Sequence, residues 1–520
     1  MGGMTPASEV VLGAGPLSAA DVVAVARHDA RVVVDGAALA EVRRSRTVVE
    51  GHADDAVPHY GISTGFGALA TRHIAPEDRI RLQRSLIRSH AAGSGPEVER
   101  EVVRALMLLR ASTMATGRTG VREGTLTAYV ALLDSGVTPV VREYGSLGCS
   151  GDLAPLAHCA LALMGEGEAR DRDGRLVPAA DALAAAGLVA VELREKEGLA
   201  LVNGTDGMLG MLALAVTDLR ALVRTADVVA TMSVEGLLGT DDVYAADLQA
   251  LRPHPGQAAS AENMRRVLAG SPIRESHRDP ASCTRVQDAY SLRCAPQVAG
   301  AVRDTIDHAE RVAGWELASA VDNPVVTPDG RVESNGNFHG APLAFVLDFL
   351  AIAAADLASI SERRTDRLLD RARNSGLPAF LADDAGVDSG LMIAQYTSAA
   401  MVSELKRLAV PASVDSIPSS AMQEDHVSMG WSAARKLRRA VDLLGRVLAV
   451  EAVTAARGLE LRTPLAPGPA TAAAVAALRG AGVGGPGPDR WLAPDLEAAA
   501  RLVADGGVVA AAETVTGPLR

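Results

Sequence analysis

The sequence predicts a mainly α protein, a long-helix bundle with a mixed N-terminal domain. Apolar residues make up 48% of the chain but aromatics only 3%. Its core therefore draws on Ala, Leu and Val, which favour close-packed helices over an aromatic-rich sandwich. Helical stretches with few breakers recur at 296–319, 341–369, 389–409 and 428–459. Helices of roughly 25–30 residues run about 40 Å, and such lengths need partners throughout, which implies an oligomeric bundle. A chain of 520 residues also exceeds one simple core.

The elements follow in order. From 15 to about 140, helical patterns such as SAADVVAVARHDARVVV and REVVRALMLLRASTMA alternate with glycine-rich turns, including YGISTGFGALA. Ala/Leu/Val stretches dominate 181–250, and no fixed-period repeat is present. Only 465–489 is rich enough in Pro and Gly to read as a surface excursion. The expected division is an N-terminal domain over 1–200, a central long-helix bundle over 201–460 and a small helical tail over 461–520.

Bulk properties exclude several classes. A net charge of −12 and a pI near 5.5 argue against nucleic acid as a partner. No basic start leads into a long apolar stretch, so no signal peptide is expected. FVLDFLAIAAADLASI comes closest to a membrane span, but Asp348 and Asp356 interrupt it. The four cysteines form no CxxC pair, which points to reduced thiols in a cytoplasmic protein. Nor do the eleven histidines offer an HxxxH pair, so no metal is expected.

The chemistry-bearing stretch is EYGSLGCSGDLAPLAH, residues 143–158. Gly145, Gly148 and Gly151 give backbone freedom just before an apolar run with the density of a buried helix. Ser150 thus lies near a helix entrance, where unpaired N–H groups favour negative charge. A nucleophile elbow of GxSxG type fails, because Asp152 takes the place of the last glycine. A glycine turn closed by a helix-capping Asp152 remains open. A third reading uses Cys149, Ser150 and Gly151 together. Attack of the Gly151 nitrogen on the Cys149 carbonyl, with loss of water, closes a five-membered ring. Loss of water from Ser150 then gives an exocyclic methylene, a carbon electrophile made without any external cofactor.

This stretch resembles the methylidene-imidazolone (MIO) triplet of the aromatic amino acid ammonia-lyases. Further matching segments are YGISTGFG (60–67), LQRSLIRSHAAGSG (82–95), KEGLALVNGTD (196–206), RVQDAYSLRCAPQVAG (285–300), DNPVV (322–326), NGNFHG (335–340), SERR (361–364) and QEDHVSMG (423–430). Together they are specific where each alone is weak. The resemblance implies a fumarase/aspartase-like fold and a homotetramer whose sites draw on several subunits. It also implies an MIO group formed autocatalytically from Cys149-Ser150-Gly151, with Ser150 as didehydroalanine.

Roles carried by the resemblance follow residue by residue. Tyr60 is implied as the base for the substrate β-proton, and a phenol near pKa 10 needs its anion stabilised by a helix N-terminus or a cation. Arg293 is implied as the carboxylate clamp, with Tyr290 on the same face if the segment is helical. Asn203 and Gln287 are similar to residues that hydrogen-bond around the MIO or the substrate, and Phe338 to a pocket wall. The Ser89-His90 pair is similar to that of histidine-specific members, where an imidazole gives a polar ring its partner. Glu424 is implied to face the active site, binding that imidazole or assisting proton transfer. L-Histidine, deaminated to trans-urocanate and ammonia, is the implied substrate. An MIO enzyme or aminomutase acting on another aromatic amino acid is the alternative. A non-catalytic helical scaffold is a third, and it leaves the triplet, Tyr60 and Arg293 unexplained. Three positions depart from the common pattern: Cys149 for Ala, Asp206 near the site, and Met422 before QEDH.

Overall fold

A computed structural model describes residues 8–53, 55, 57–279, 283 and 286–520. Its helices form where the Ala/Leu/Val periodicity is densest. Those that build the bundle and the site are α1 (Gly36–Ala53), α2 (Arg79–His90), α3 (Arg100–Ala115), α4 (Leu153–Leu163), α5 (Asp206–Gly236), α6 (Ala295–Leu317), α7 (Ala341–Leu369), α8 (Met392–Leu408) and α9 (Gly430–Glu460). The four long stretches expected from the sequence become α6 to α9, with ends shifted by no more than three residues. Proline in the first turn of α6 and α7 sets where each begins, since its fixed φ suits a position with no N–H bond to lose.

Helix α5 is the axis of the bundle. Every residue from Asp206 to Val216 is buried, as expected of a helix surrounded on all sides. It packs on α3, α6, α7 and α9, and α7 lies along α9. Gly210 allows the α3–α5 crossing, because a Cβ there would lie 2.9 Å from the Ala105 Cβ. Four small sheets complete the described residues. Three lie before residue 200, including the parallel pair Glu9–Leu12 with Arg31–Val34, in which Val10 faces Val32. One continuous core runs from Val10 to Leu519.

Two expectations are corrected. The stretch 465–489 is not only a surface excursion. It carries α10 (Pro469–Gly480), whose Ala470, Ala474, Val475 and Leu478 are buried, so the Ala-rich middle outweighs the flanking Pro and Gly. Helix α11 (Ala493–Ala504) and α12 (Gly507–Thr516) then pack back on the bundle. Helix α7 is long and apolar enough to cross a membrane by length and composition, despite its two aspartates. Its buried Asp348 instead accepts from Ser413 N at 2.7 Å and pairs with Lys436 of α9.

A buried clasp ties three of the long helices. The Glu451 carboxylate of α9 accepts from Arg364 Nε at 2.5 Å and Arg364 Nη2 at 2.8 Å. It also accepts from Ser361 at 2.5 Å and from Ser233 of α5 at 2.7 Å. Ser361 and Arg364 are the ends of the SERR segment. Arg364→Met strands a buried charge and should destabilise by about 3–5 kcal/mol. Adding Glu451→Leu should recover much of that loss. Urea unfolding of the single and double variants measures both, and a single-variant loss below about 1 kcal/mol would deny the clasp its role.

Candidate active site

The triplet lies in a turn clamped by three distant segments. Gly148 and Gly151 both have left-handed φ, +69° and +71°. A Cβ on Gly151 would sit 2.0 Å from the Gly204 carbonyl oxygen, so this backbone contact admits only glycine. Asp152 N donates to that same oxygen at 2.7 Å. Gly148 O accepts from Ser428 Oγ at 2.7 Å and from Gly340 N at 3.1 Å, while Met429 N donates to Leu147 O at 2.9 Å.

The alternative in which Asp152 caps its own helix α4 does not hold, since its side chain makes no capping hydrogen bond there. Its buried carboxyl accepts from Ser146 Oγ at 2.8 Å and from Met208 N at 2.9 Å, capping α5 instead. Burial pushes that carboxyl up to about 7, against the Met208 and Ser146 hydrogen bonds.

Beside the turn opens a cavity of about 550 Å³ lined by Tyr60, His90, Ser150, Asn203, Asn323 and Glu424, among others. Glu424 faces the triplet, with Oε2 3.4 Å from Cys149 Sγ and Oε1 3.5 Å from Ser150 Oγ. Ser419 Oγ donates to Glu424 Oε2 at 2.9 Å and steadies it. Burial, reinforced by the Glu424 charge, raises the Cys149 thiol to about 11, so it stays protonated at neutral pH. His90 ends α2, its Nδ1 3.1 Å from Ser89 Oγ. Burial lowers the His90 pKa, opposed by a backbone contact and the Glu424 charge, which favours a neutral imidazole.

Within one chain the surroundings of Tyr60 disfavour its phenolate. Burial raises its pKa, and the charges of Glu424 and Asp322 push the same way. Only the Gly67 N–H, 3.3 Å from the phenol oxygen, opposes them. That N–H opens the short 3-10 turn Gly67–Leu69, and no cation acts on the phenol within one chain.

Asn203 donates from Nδ2 to Asn323 O at 2.9 Å, and its own carbonyl is held by buried Arg110 at 2.7 Å. Its Oδ1 is buried without a hydrogen-bond partner among the described residues, a free acceptor at the cavity wall. Asn323 was given no role by the sequence, although its DNPVV segment was singled out. Asp206 is buried behind Gly204, its Oδ2 3.6 Å from Arg110 Nε, close to the triplet but outside the cavity lining. Met422 is 67% exposed.

Gln287, Tyr290, Arg293 and Phe338 do not line the cavity of their own chain. Residues Tyr290–Arg293 form the expected helical turn, with the Arg293 guanidinium 4.6 Å over the Tyr290 ring. Tyr244 Oη donates to Leu292 O at 2.7 Å and Arg364 Nη1 to Ser291 O at 3.2 Å, fixing the turn to the bundle. Gln287 and Tyr290 point outward, Tyr290 at 71% exposure, and Arg293 Nε has no hydrogen-bond partner among the described residues.

Comparison with known proteins gives this geometry a setting. The aromatic amino acid lyase family matches residues 17–480. A histidine ammonia-lyase of Streptomyces griseus is 67% identical, covering 98% of this chain and 99% of that protein. One from Sorangium cellulosum is 50% identical over 97% and 99%. Among solved structures, a tyrosine aminomutase from Streptomyces globisporus superposes with a TM-score of 0.92 at 37% identity, covering 98% of this chain and all of the other. A histidine ammonia-lyase from Trypanosoma cruzi gives 0.89 at 36%, over 98% and 95%. The chain therefore belongs to the aromatic amino acid lyase family.

Proposed function

We propose that the chain removes ammonia from L-histidine to give trans-urocanate. The observation that carries this reading is His90 and Glu424 sharing one cavity with Ser150, two polar groups suited to an imidazole ring. The names of the relatives at 67% identity support it.

The residues fit an MIO group at Cys149-Ser150-Gly151. Gly151 presses backbone to backbone on Gly204, and Asn203 offers a buried unpaired acceptor at the same wall. That group supplies a carbon electrophile for the substrate amine. Around it, Tyr60 Oη accepts the β-proton, and neutral His90 with Glu424 orients the imidazole. Cys149 contributes its carbonyl to the ring, while its protonated thiol sits against Glu424.

Arg293, Tyr290, Gln287 and Phe338 complete the site from neighbouring copies in a homotetramer. Their absence from their own chain's cavity supports this, as does the exposed stripe Phe345, Phe349 and Ile352 on α7, spaced for one helix face. A guanidinium brought from a second subunit would lower the phenol pKa of Tyr60, which nothing charged does within one chain. The three-region division of the chain and a cytoplasmic location belong to the same reading, the latter supported by four unpaired cysteines.

Purified protein should convert L-histidine to urocanate, read by its absorbance, far faster than it converts phenylalanine or tyrosine. A buried polar group left unpaired costs about 1–3 kcal/mol, one to two decades in kcat/KM. Replacing His90 with Phe and Ser89 with Leu should shift the ratio towards phenylalanine, and Glu424→Gln should slow histidine turnover strongly. Unchanged ratios across these variants, or a β-amino acid product, would overturn the assignment.

Arg293→Lys keeps charge but loses the planar fork, and should lower kcat/KM by about 2–3 kcal/mol in transition-state terms. Mixed and reassembled, inactive Tyr60→Phe chains and weakened Arg293→Lys chains should exceed the activity of either alone, because some sites then take both residues intact. Failure of complementation in verified mixed oligomers would place Arg293 outside a shared site.

A further inference from the structure

Outside the cavity, the end of α1 and the chain leading to Tyr60 bring two imidazoles and a carboxylate together. His52 is in the last turn of α1, and Asp55 and His59 follow as the chain turns back. His52 Nδ1 lies 3.2 Å from His59 Nε2, and His59 Nε2 lies 3.1 Å from Asp55 Oδ2. The two rings meet at 4.2 Å between centroids. All three donor atoms fall within 4.8 Å of one another. Sequence spacing hid this group, since the two histidines are seven residues apart and match no helical ligand pair.

We propose that His52, Asp55 and His59 form a binding site for a divalent transition-metal ion of the zinc class, at the entrance to the Tyr60 loop. Two features of the geometry favour an ion over a hydrogen-bond cluster. First, His59 Nε2 carries at most one hydrogen yet faces two acceptor-capable atoms. If it donates to Asp55, it offers no lone pair to His52. If it accepts from His52, its lone pair confronts the Asp55 oxygen. An ion drawing on all three lone pairs removes that conflict. Second, ligand bonds of about 2.0–2.1 Å in a tetrahedron place neighbouring donors about 3.3 Å apart, close to both observed spacings. The Asp55 side chain is 40% exposed and that of His59 19%, so an ion can enter and water can fill the fourth position. Imidazole nitrogens select zinc-like ions over magnesium or calcium. Because His59 directly precedes Tyr60, the ion would tie the end of α1 to the start of the loop that carries the phenol.

Binding tests this independently of catalysis. Untagged, metal-stripped oligomer is titrated with Zn²⁺ by calorimetry and with Co²⁺ by visible absorption. One ion per chain is expected, with a tetrahedral Co²⁺ spectrum free of thiolate charge-transfer bands, which separates the site from the four cysteines. His52→Asn and Asp55→Asn should each weaken binding by about 100-fold or more, since even an outer partner of a metal ligand is worth about 10–100-fold. His308→Asn, on an exposed face of α6, and His90→Phe, in the cavity, should leave it unchanged. No bound ion, unaltered affinity in both ligand variants, or loss of binding in His90→Phe would overturn the proposal.

Discussion

Gly151 and Asp152 hold the candidate site to the bundle through one backbone contact and one buried carboxyl. The contact with Gly204 leaves no room for a side chain, and the Asp152 carboxyl reaches past its own helix to the first turn of α5. The 31-residue α5 is also the helix around which α3, α6, α7 and α9 pack. Bundle and reactive turn therefore share one anchor. A carboxyl raised to about 7 shows what this costs: burial opposes its ionisation, and two hydrogen bonds recover only part of the loss. Such an anchor holds the turn rigid while leaving its outer face open to the cavity.

The electrostatics of one chain oppose ionisation of Tyr60, which supports the proposed sharing of the site between subunits. Glu424 and Asp322 add negative charge around Tyr60, and burial adds to their effect. Meanwhile Arg293 is half-buried on a turn braced by Tyr244 and Arg364, its buried Nε unpaired among the described residues. A braced arginine with an unpaired Nε outside its own chain's cavity supports the proposed shared site. The exposed apolar stripe on α7 points the same way, since the hydrophobic effect would supply the association that brings the two halves together.

Much of this was legible in the sequence, for definite reasons. Helices α6 to α9 announced themselves because their periodic Ala/Leu/Val runs are long and start at proline or glycine. Tyr60, His90, Asn203 and Glu424 were legible through the segments that hold them, and the fold gathers them with Ser150 in one cavity. The role of Asp152 stayed open because sequence shows only the adjacent helix, not the more distant one that its carboxyl caps. Asp206 was placed near the site, but its partner was not legible, because Arg110 lies 96 positions away in sequence yet shares the space behind Gly204. The helix at 469–480 was hidden by flanking Pro and Gly, and the His52–His59 pair by a spacing that closes only when the chain reverses.

The central claim is that Cys149, Ser150 and Gly151 are converted in the folded chain to an electrophile. Intact-mass measurement of active protein tests it most directly, with Ser150→Ala alongside. The wild-type mass is expected to be lower than the encoded mass by two water molecules, and the Ser150→Ala chain is expected to be inactive and to lack the final dehydration. A fully active protein of unmodified mass would contradict it.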